Sequence, residues 1–275
     1  MLNILGGECY KVRKEKTFYV CLASVVILVG LLYFTLLMVD EIKNQQPAEG
    51  ANGIYVYHEG EELGEGPYIQ QVGIMGVLQQ MLNGHFTGFI MAVFASIFVI
   101  KEYTGGAVKN IVGKGYPRAS VFLSKLLVTQ LAAMAILGVT FVCCILAGGL
   151  FMGKEGFESM NWTQTASYMG MQMVISMPVT GTAVLVGEFT RSLAAGISIS
   201  AGIIIFSTSL LAGADTLLSH LSIKPSLYWP LSLQMECPVS GMEQEFVIRG
   251  ILVSLAWLFF VTFLGALHFQ KADIT

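Results

Sequence analysis

Five stretches of this chain contain no Asp, Glu, Lys or Arg at all: Thr17 to Val39, Leu126 to Gly153, Ser159 to Gly187, Ser192 to Ala214 and Gly250 to Gln270. Each exceeds the roughly 20 residues with which a helix, rising 1.5 Å per residue, crosses about 30 Å of hydrocarbon. A sixth run, Gly66 to Ile100, carries Gln70, Gln71, Gln79 and Gln80 in its first half, so its spanning part is expected at about Met81 to Ile100. A soluble helical bundle would place a polar stripe every 3.6 residues, and Ser24 to Val39 has none. With 55% hydrophobic and 12% charged residues and a mean hydropathy of +0.69, the chain is more apolar than a soluble core of its length requires. The first run ends at Asp40 and Glu41 with no A-x-A-like cleavage site, so it reads as a retained helix rather than a signal peptide. The expected fold is an all-α integral membrane protein, one domain over 1–275. Its spans are placed at about 17–39, 81–100, 126–151, 166–187, 192–213 and 249–270.

Charge placement gives an orientation, because Lys and Arg are retained in short cytoplasmic segments. With six spans both termini share one side, and that side would hold 11 of the 15 bases: Lys11, Arg13, Lys14, Lys16, Lys101, Lys109, Lys114, Arg118, Lys125, Arg191 and Lys271. Both termini are therefore expected in the cytoplasm. Loops 40–80 and 214–248 then lie outside. The first is acidic and glycine-rich, and the alternation around Ile54 and Val56 allows a small hairpin there. The second mixes Pro225, Pro230 and Pro238 with Tyr228 and Trp229, which suits a re-entrant or interfacial segment.

Several chemistries lack the residues they need. No phosphate-cradling G-x-x-x-x-G-K-[ST] is present, since Gly113-Lys114 is followed by Gly115, so ATP hydrolysis by this chain is not expected. His58, His85, His220 and His268 are scattered, and no metal site or cofactor is expected. The serines of Gly196 to Ser200 have no base beside them. Of five cysteines, Cys9 and Cys21 sit near the inner side, Cys143 and Cys144 within a span and Cys237 outside, which makes no disulfide framework. Three G-x-x-x-G pairs among 30 glycines identify no dimer face. No nucleic-acid partner is expected either.

The segment Lys101 to Lys125, KEYTGGAVKNIVGKGYPRASVFLSK, carries the functional signal. Gly105 and Gly106 permit a break after the second span, Ala107 to Val112 suffices for about one and a half helical turns, and Gly113 to Pro117 ends them. Ser120 to Lys125 would lie along the interface and feed the third span. The order Glu102, Tyr103, Gly106, Lys109, Asn110, Arg118, Lys125 resembles the first cytoplasmic loop of ABC-2 type transporter permeases, especially the six-span lantibiotic-immunity and bacitracin-resistance-like subunits. Relatives usually carry Thr or Ser after the glycine; Ala107 departs from this and removes a local helix cap.

That resemblance implies an ABC-2 (type V exporter) permease fold with an N-terminal amphipathic elbow and a re-entrant segment before the last span. It implies a transport subunit, not an enzyme, in a bacterial plasma membrane. A separate cytoplasmic ATPase would bind ATP and Mg and dock on Glu102, Tyr103, Gly106, Lys109 and Arg118. A second permease copy or a sister permease would complete the pore, and an antimicrobial peptide is the first candidate cargo. Glu188 and Arg191, in the short loop Gly187 to Ser192, are a further ATPase contact or an ion pair within the loop. The elbow is Met1 to Lys16, whose bases would meet anionic headgroups of the bilayer. Within the membrane, Gln172, Ser176 and Thr180 are spaced by four and share one helix face, beside Pro178, as a candidate polar pathway or as ordinary helix contacts. No span carries a charge at its centre, which argues against an ion pump and for an amphipathic or apolar cargo. A secondary carrier without an ATPase, or a membrane sensor or scaffold, would fit the same six spans.

Overall fold

The computed structural model describes residues 2–45, 68–83, 85–106, 111, 113–158, 160–218, 220, 224–239 and 241–271. Nine α-helices and a 3-10 turn order these residues: α1 Leu2–Lys14, α2 Lys16–Gln45, α3 Tyr68–Asn83, α4 Phe86–Thr104, α5 Arg118–Glu158, α6 Trp162–Thr190, α7 Leu193–Leu217, the 3-10 turn Pro225–Tyr228, α8 Pro230–Met235 and α9 Gln244–Lys271. No strand occurs among the described residues. Six helices, α2, α4, α5, α6, α7 and α9, are long and apolar enough to cross a membrane. The protein is thus all-helical with six candidate spans, as its apolar runs require.

The helices extend beyond the runs because flanking polar residues continue a turn or two of helix into the headgroup region. α2 continues past Val39 to Gln45, and α5 begins at Arg118, so Ser120 to Lys125 lies within its first two turns. The proposed hairpin around Ile54 and most of the proposed helix Ala107 to Val112 lie outside the described residues. The largest difference concerns α3. Tyr68 to Asn83 is not loop but a helix, interrupted at Gly73 (φ 63°), and Met81 belongs to it rather than to the second span, which starts at Phe86 after His85 turns left-handed. Ile74, Val77, Leu78, Met81 and Leu82 repeat at helical spacing and are all buried, which is why the segment folds as a helix despite its glutamines. Asp40 of α2 accepts the Ile69 N–H at 3.0 Å and caps its start.

Packing divides the apolar interior in two. A large cluster joins α2, α3, α4, α5 and α6, with Tyr33, Phe94, Phe141 and Tyr168 at its centre. A smaller one gathers Ile4, Val99, Phe122, Val184 and Phe269 from α1, α4, α5, α6 and α9 at one end of the bundle. That end also holds the buried charged side chains Glu8, Glu102, Lys125 and Glu188 and is called the charged end below. Large apolar side chains point outward along the spans, among them Val20, Ile27 and Phe34 on α2, Phe206 and Leu210 on α7 and Phe259 on α9. So much exposed apolar surface fits a lipid solvent, not water.

At the opposite end the segment 225–237 turns back into the bundle. Pro225 and Pro230 each sit in the first turn of a short helix, where a missing N–H costs nothing. Trp229 lies edge-on to Trp257, midway along α9, with centroids 4.9 Å apart, and donates its indole N–H to Ser207, past the middle of α7. The tip therefore reaches about half the depth of the spans. Its exposed carbonyls are met by side chains: Asn83 donates to the carbonyls of Met235 (2.8 Å) and Cys237 (3.4 Å), and Gln172 to that of Gln234 (3.4 Å). Asn83 in turn accepts from Tyr168 (2.8 Å) and Gln172 (3.0 Å). Replacing Asn83 by Leu leaves those carbonyls bare in a low-dielectric setting, at a cost of about 1–3 kcal/mol per lost partner. Asn83→Leu should lower the thermal midpoint in detergent and make the buried Cys237 reactive to thiol reagents, whereas the same change at the exposed Ser167 should do neither.

Candidate coupling site

The charged end is organised by one lysine. Lys125 lies two turns into α5 and is fully buried, as are Glu188 near the end of α6 and, at 7% exposure, Glu102 near the end of α4. Its ammonium stands 3.3 Å from Glu102 and 3.2 Å from Glu188, and 4.7 Å above the Tyr103 ring. Tyr103 donates its hydroxyl to the other oxygen of Glu188, and the Arg191 guanidinium lies 5.1 Å over the same ring. Phe269 of α9 closes the nest, its ring 5.6 Å from Lys125. An ammonium this deep is tolerable only because two carboxylates and two aromatic faces replace its water.

The elbow helix joins the nest from the side. Ile4, Glu8 and Val12 form one buried stripe of α1, and Lys11 beside it bonds both Glu8 and Glu102 at 2.6 Å. Glu8 was not singled out from the sequence, though an acid four residues from Ile4 and four from Val12 on an otherwise apolar stripe is a legible signal. Burial foremost, and then the neighbouring Glu102, push the Glu8 carboxyl up to about 7, against the opposing pull of Lys11. A second tie runs from Lys101 to Glu15 (2.6 Å) and Thr17 (3.0 Å) at the α1–α2 junction. The Lys101 hydrogen bond holds the Glu15 carboxyl below its usual range.

The sequence-derived residues thus separate into groups. Glu102, Tyr103, Glu188 and Arg191 converge. Arg118 is apart from them, at the start of α5, and donates to the Gln270 carbonyl at 3.0 Å. Gly106 turns the chain after α4 with φ 68°, a left-handed angle that a side chain would strain. Lys109 lies outside the described residues. Glu188 reaches across to Lys125 and Tyr103 on other helices. Gln172, Ser176 and Thr180 do share a buried face of α6, but their roles differ. Ser176 and Thr180 spend their hydroxyls on the carbonyls of Met173 and Ser176 in their own helix, and Gln172 alone reaches across to other elements. Cys237, expected on the outer side, follows α8 and is buried at 1% exposure.

The network joins the elbow, both helices that flank the loop 105–117, and the α6–α7 turn into one unit that cannot shift piecemeal without stranding a buried charge. The profile of the ABC-2 family transporter proteins matches residues 4–207, which includes every charged member of that unit. The chain belongs to the ABC-2 transporter family. No curated protein matches it. As a member of that family it is a membrane permease component of an ABC transporter, and the ABC-2 permease is a transport component, not an enzyme. The re-entrant segment and α9 lie beyond the matched residues.

Two outcomes follow for the permease. Lys125→Met strands Glu188 and weakens the hold on Glu102, so stability should fall by about 3–5 kcal/mol, and adding Glu188→Gln should recover part of it. Unfolding in mixed micelles would measure both. The second concerns pH. The carboxyl of Glu8 holds its proton more tightly in place than when α1 is released, where it returns to about 4.5. Its contribution to elbow docking is therefore complete below that value and lost as pH rises through about 7. Anisotropy of a dye on the exposed Cys9 should drop across this window in the wild type and stay level in Glu8→Gln.

Proposed function

We propose that this permease is driven by a separate cytoplasmic ATPase that docks on the loop between α4 and α5 and supplies the bound ATP and Mg. The observation that carries this reading is the nest around Lys125. Glu102 and Glu188 are too buried to touch another chain, so their part in coupling is to make the loop rigid with the spans behind it. The docking surface itself then falls to the rest of the loop, with Lys109 and Arg118 as the bases that would meet the ATPase and Gly106 setting the turn. A push on such a loop moves α4, α5, α6 and the elbow together.

In this reading both termini face the cytoplasm of a bacterial cell, and a second copy or a sister permease completes the pore in the plasma membrane. The transporter exports an amphipathic cargo, with a lantibiotic-like antimicrobial peptide as the specific candidate. Charged residues of the described spans lie towards their ends, which suits a cargo that is not a bare ion. The path would run beside the α6 face of Gln172, Ser176 and Thr180, closed in this conformation.

Lys109→Glu provides the test, with Glu62→Lys as a control on the acidic loop 40–80. If Lys109 registers the loop in the ATPase cleft, its reversal should weaken association by about 2 kcal/mol or more, some thirtyfold, while membrane insertion is unchanged. The readouts are ATPase retained on purified permease and cargo-dependent ATP turnover. Wild-type values for both would remove the docking role and favour a secondary carrier.

A further inference from the structure

Halfway along the spans, α7 and α9 hardly touch each other and are bridged by the tip of the re-entrant segment. Behind that bridge lies an empty space of about 350 Å³, including its open mouth, backed by Ala92 of α4 and Ala183 of α6 and bordered by Ile204, Trp229, Leu231 and Trp257. The polar groups at its edge are already committed. Thr182 donates to the Pro178 carbonyl at 2.8 Å and Ser200 shares a hydrogen bond with Ser96 at 3.1 Å. The two indoles donate to Ser207 (3.0 Å) and to the Tyr228 carbonyl (2.8 Å). A guest that needs hydrogen bonds would find none here, whereas an apolar guest would restore the dispersion contacts that an empty space forfeits.

Position decides which apolar guest. Trp257 sits midway along α9, about 20 Å of helix from either end at 1.5 Å per residue, so this border of the pocket lies far from both ends of the span. Next to the lining, Phe260 of α9, edge-on to Trp257 at 5.6 Å, and Phe206 of α7, beside the Ser207 that Trp229 bonds, are exposed, and a bilayer would cover them with hydrocarbon. We propose that this pocket is a lateral binding site for the end of a phospholipid acyl chain, entering from the membrane between α7 and α9 and wedged against the Trp229–Trp257 pair. The site stands on the spans alone and is independent of ATPase coupling. Through Trp229 its occupancy bears directly on the re-entrant tip, so bilayer composition acts on the same segment that Asn83 and Gln172 hold from the other side.

The test uses the full chain with Trp162→Phe, which leaves Trp229 and Trp257 as the only indoles. It is reconstituted in phosphatidylcholine whose acyl chains carry bromine either near the terminal methyl or near the ester. Deep bromines should quench the indoles more strongly than shallow ones, and Ala183→Phe, which fills the pocket from behind without touching the outer surface, should abolish most of that deep quenching. Unchanged deep quenching in Ala183→Phe would show that lipid touches only the outer ring faces and would overturn the site. If Ala183→Phe does not fold, Ala92→Val makes the same comparison. Deep quenching no stronger than shallow in the unsubstituted pocket would overturn it without any variant.

Discussion

The ammonium of Lys125 is the constraint on which the charged end depends. A lone charge at that depth would be intolerable, so the fold must bring Glu102 and Glu188 to it, from the helices on either side of α5 in sequence. Once both carboxylates converge, the registers of α4, α5 and α6 are mutually fixed at this end. The apolar cluster of Val99, Phe122, Val184 and Phe269 then packs beneath them and keeps water from dissolving the nest. Stability is not the obvious gain, because an apolar trio of equal volume could serve as well. Specificity is: a slide of one helix by a turn would leave a bare charge, whereas an apolar trio would tolerate it.

Glu8 makes the nest unequal. Glu8, Glu102 and Glu188 bring three carboxylates to the ammoniums of Lys11 and Lys125, with the Arg191 guanidinium over the Tyr103 ring. Burial first, and the neighbouring Glu102 second, raise the Glu8 carboxyl, and it stands on the elbow. The bonds of Lys125 to Glu102 and Glu188 do not involve it, so a proton on Glu8 acts on the elbow. That separates a rigid part of the machine from an adjustable one with no change of fold.

What could be read in advance follows the range of each interaction. Apolar runs announce spans because lipid acts on every residue of a helix alike, and the prolines and aromatics of 225–230 pointed to a re-entrant or interfacial segment, though not to its two short helices. The pattern Ile74, Val77, Leu78, Met81, Leu82 was equally local, yet the glutamines around it outweighed it, since a span is judged by average hydropathy whereas a half-buried helix is defined by one face. Pairings such as Lys125 with Glu188, 63 positions apart, have no local trace. The resemblance of the loop brought Glu102, Tyr103 and Glu188 forward, but not the direction in which they point. Packed inward, Glu102 and Glu188 are part of the frame behind the loop rather than of its surface.

The far end obeys the same logic with neutral groups. A segment that enters a bilayer halfway and turns must end a helix where no water can satisfy its last carbonyls. A charged cap there would bring its own desolvation cost, so amides are the economical choice, each donating twice and accepting without a net charge. Asn83 uses its whole inventory, with two acceptors on the segment and two donors on α6. Its position at the last residue of α3 explains why that helix is needed at all. Without α3 the polar end of the re-entrant turn would face hydrocarbon, and the tip that presents Trp229 at mid-depth would have no anchor. The helix between the first two spans is therefore what holds the segment 225–237 where it turns back among them.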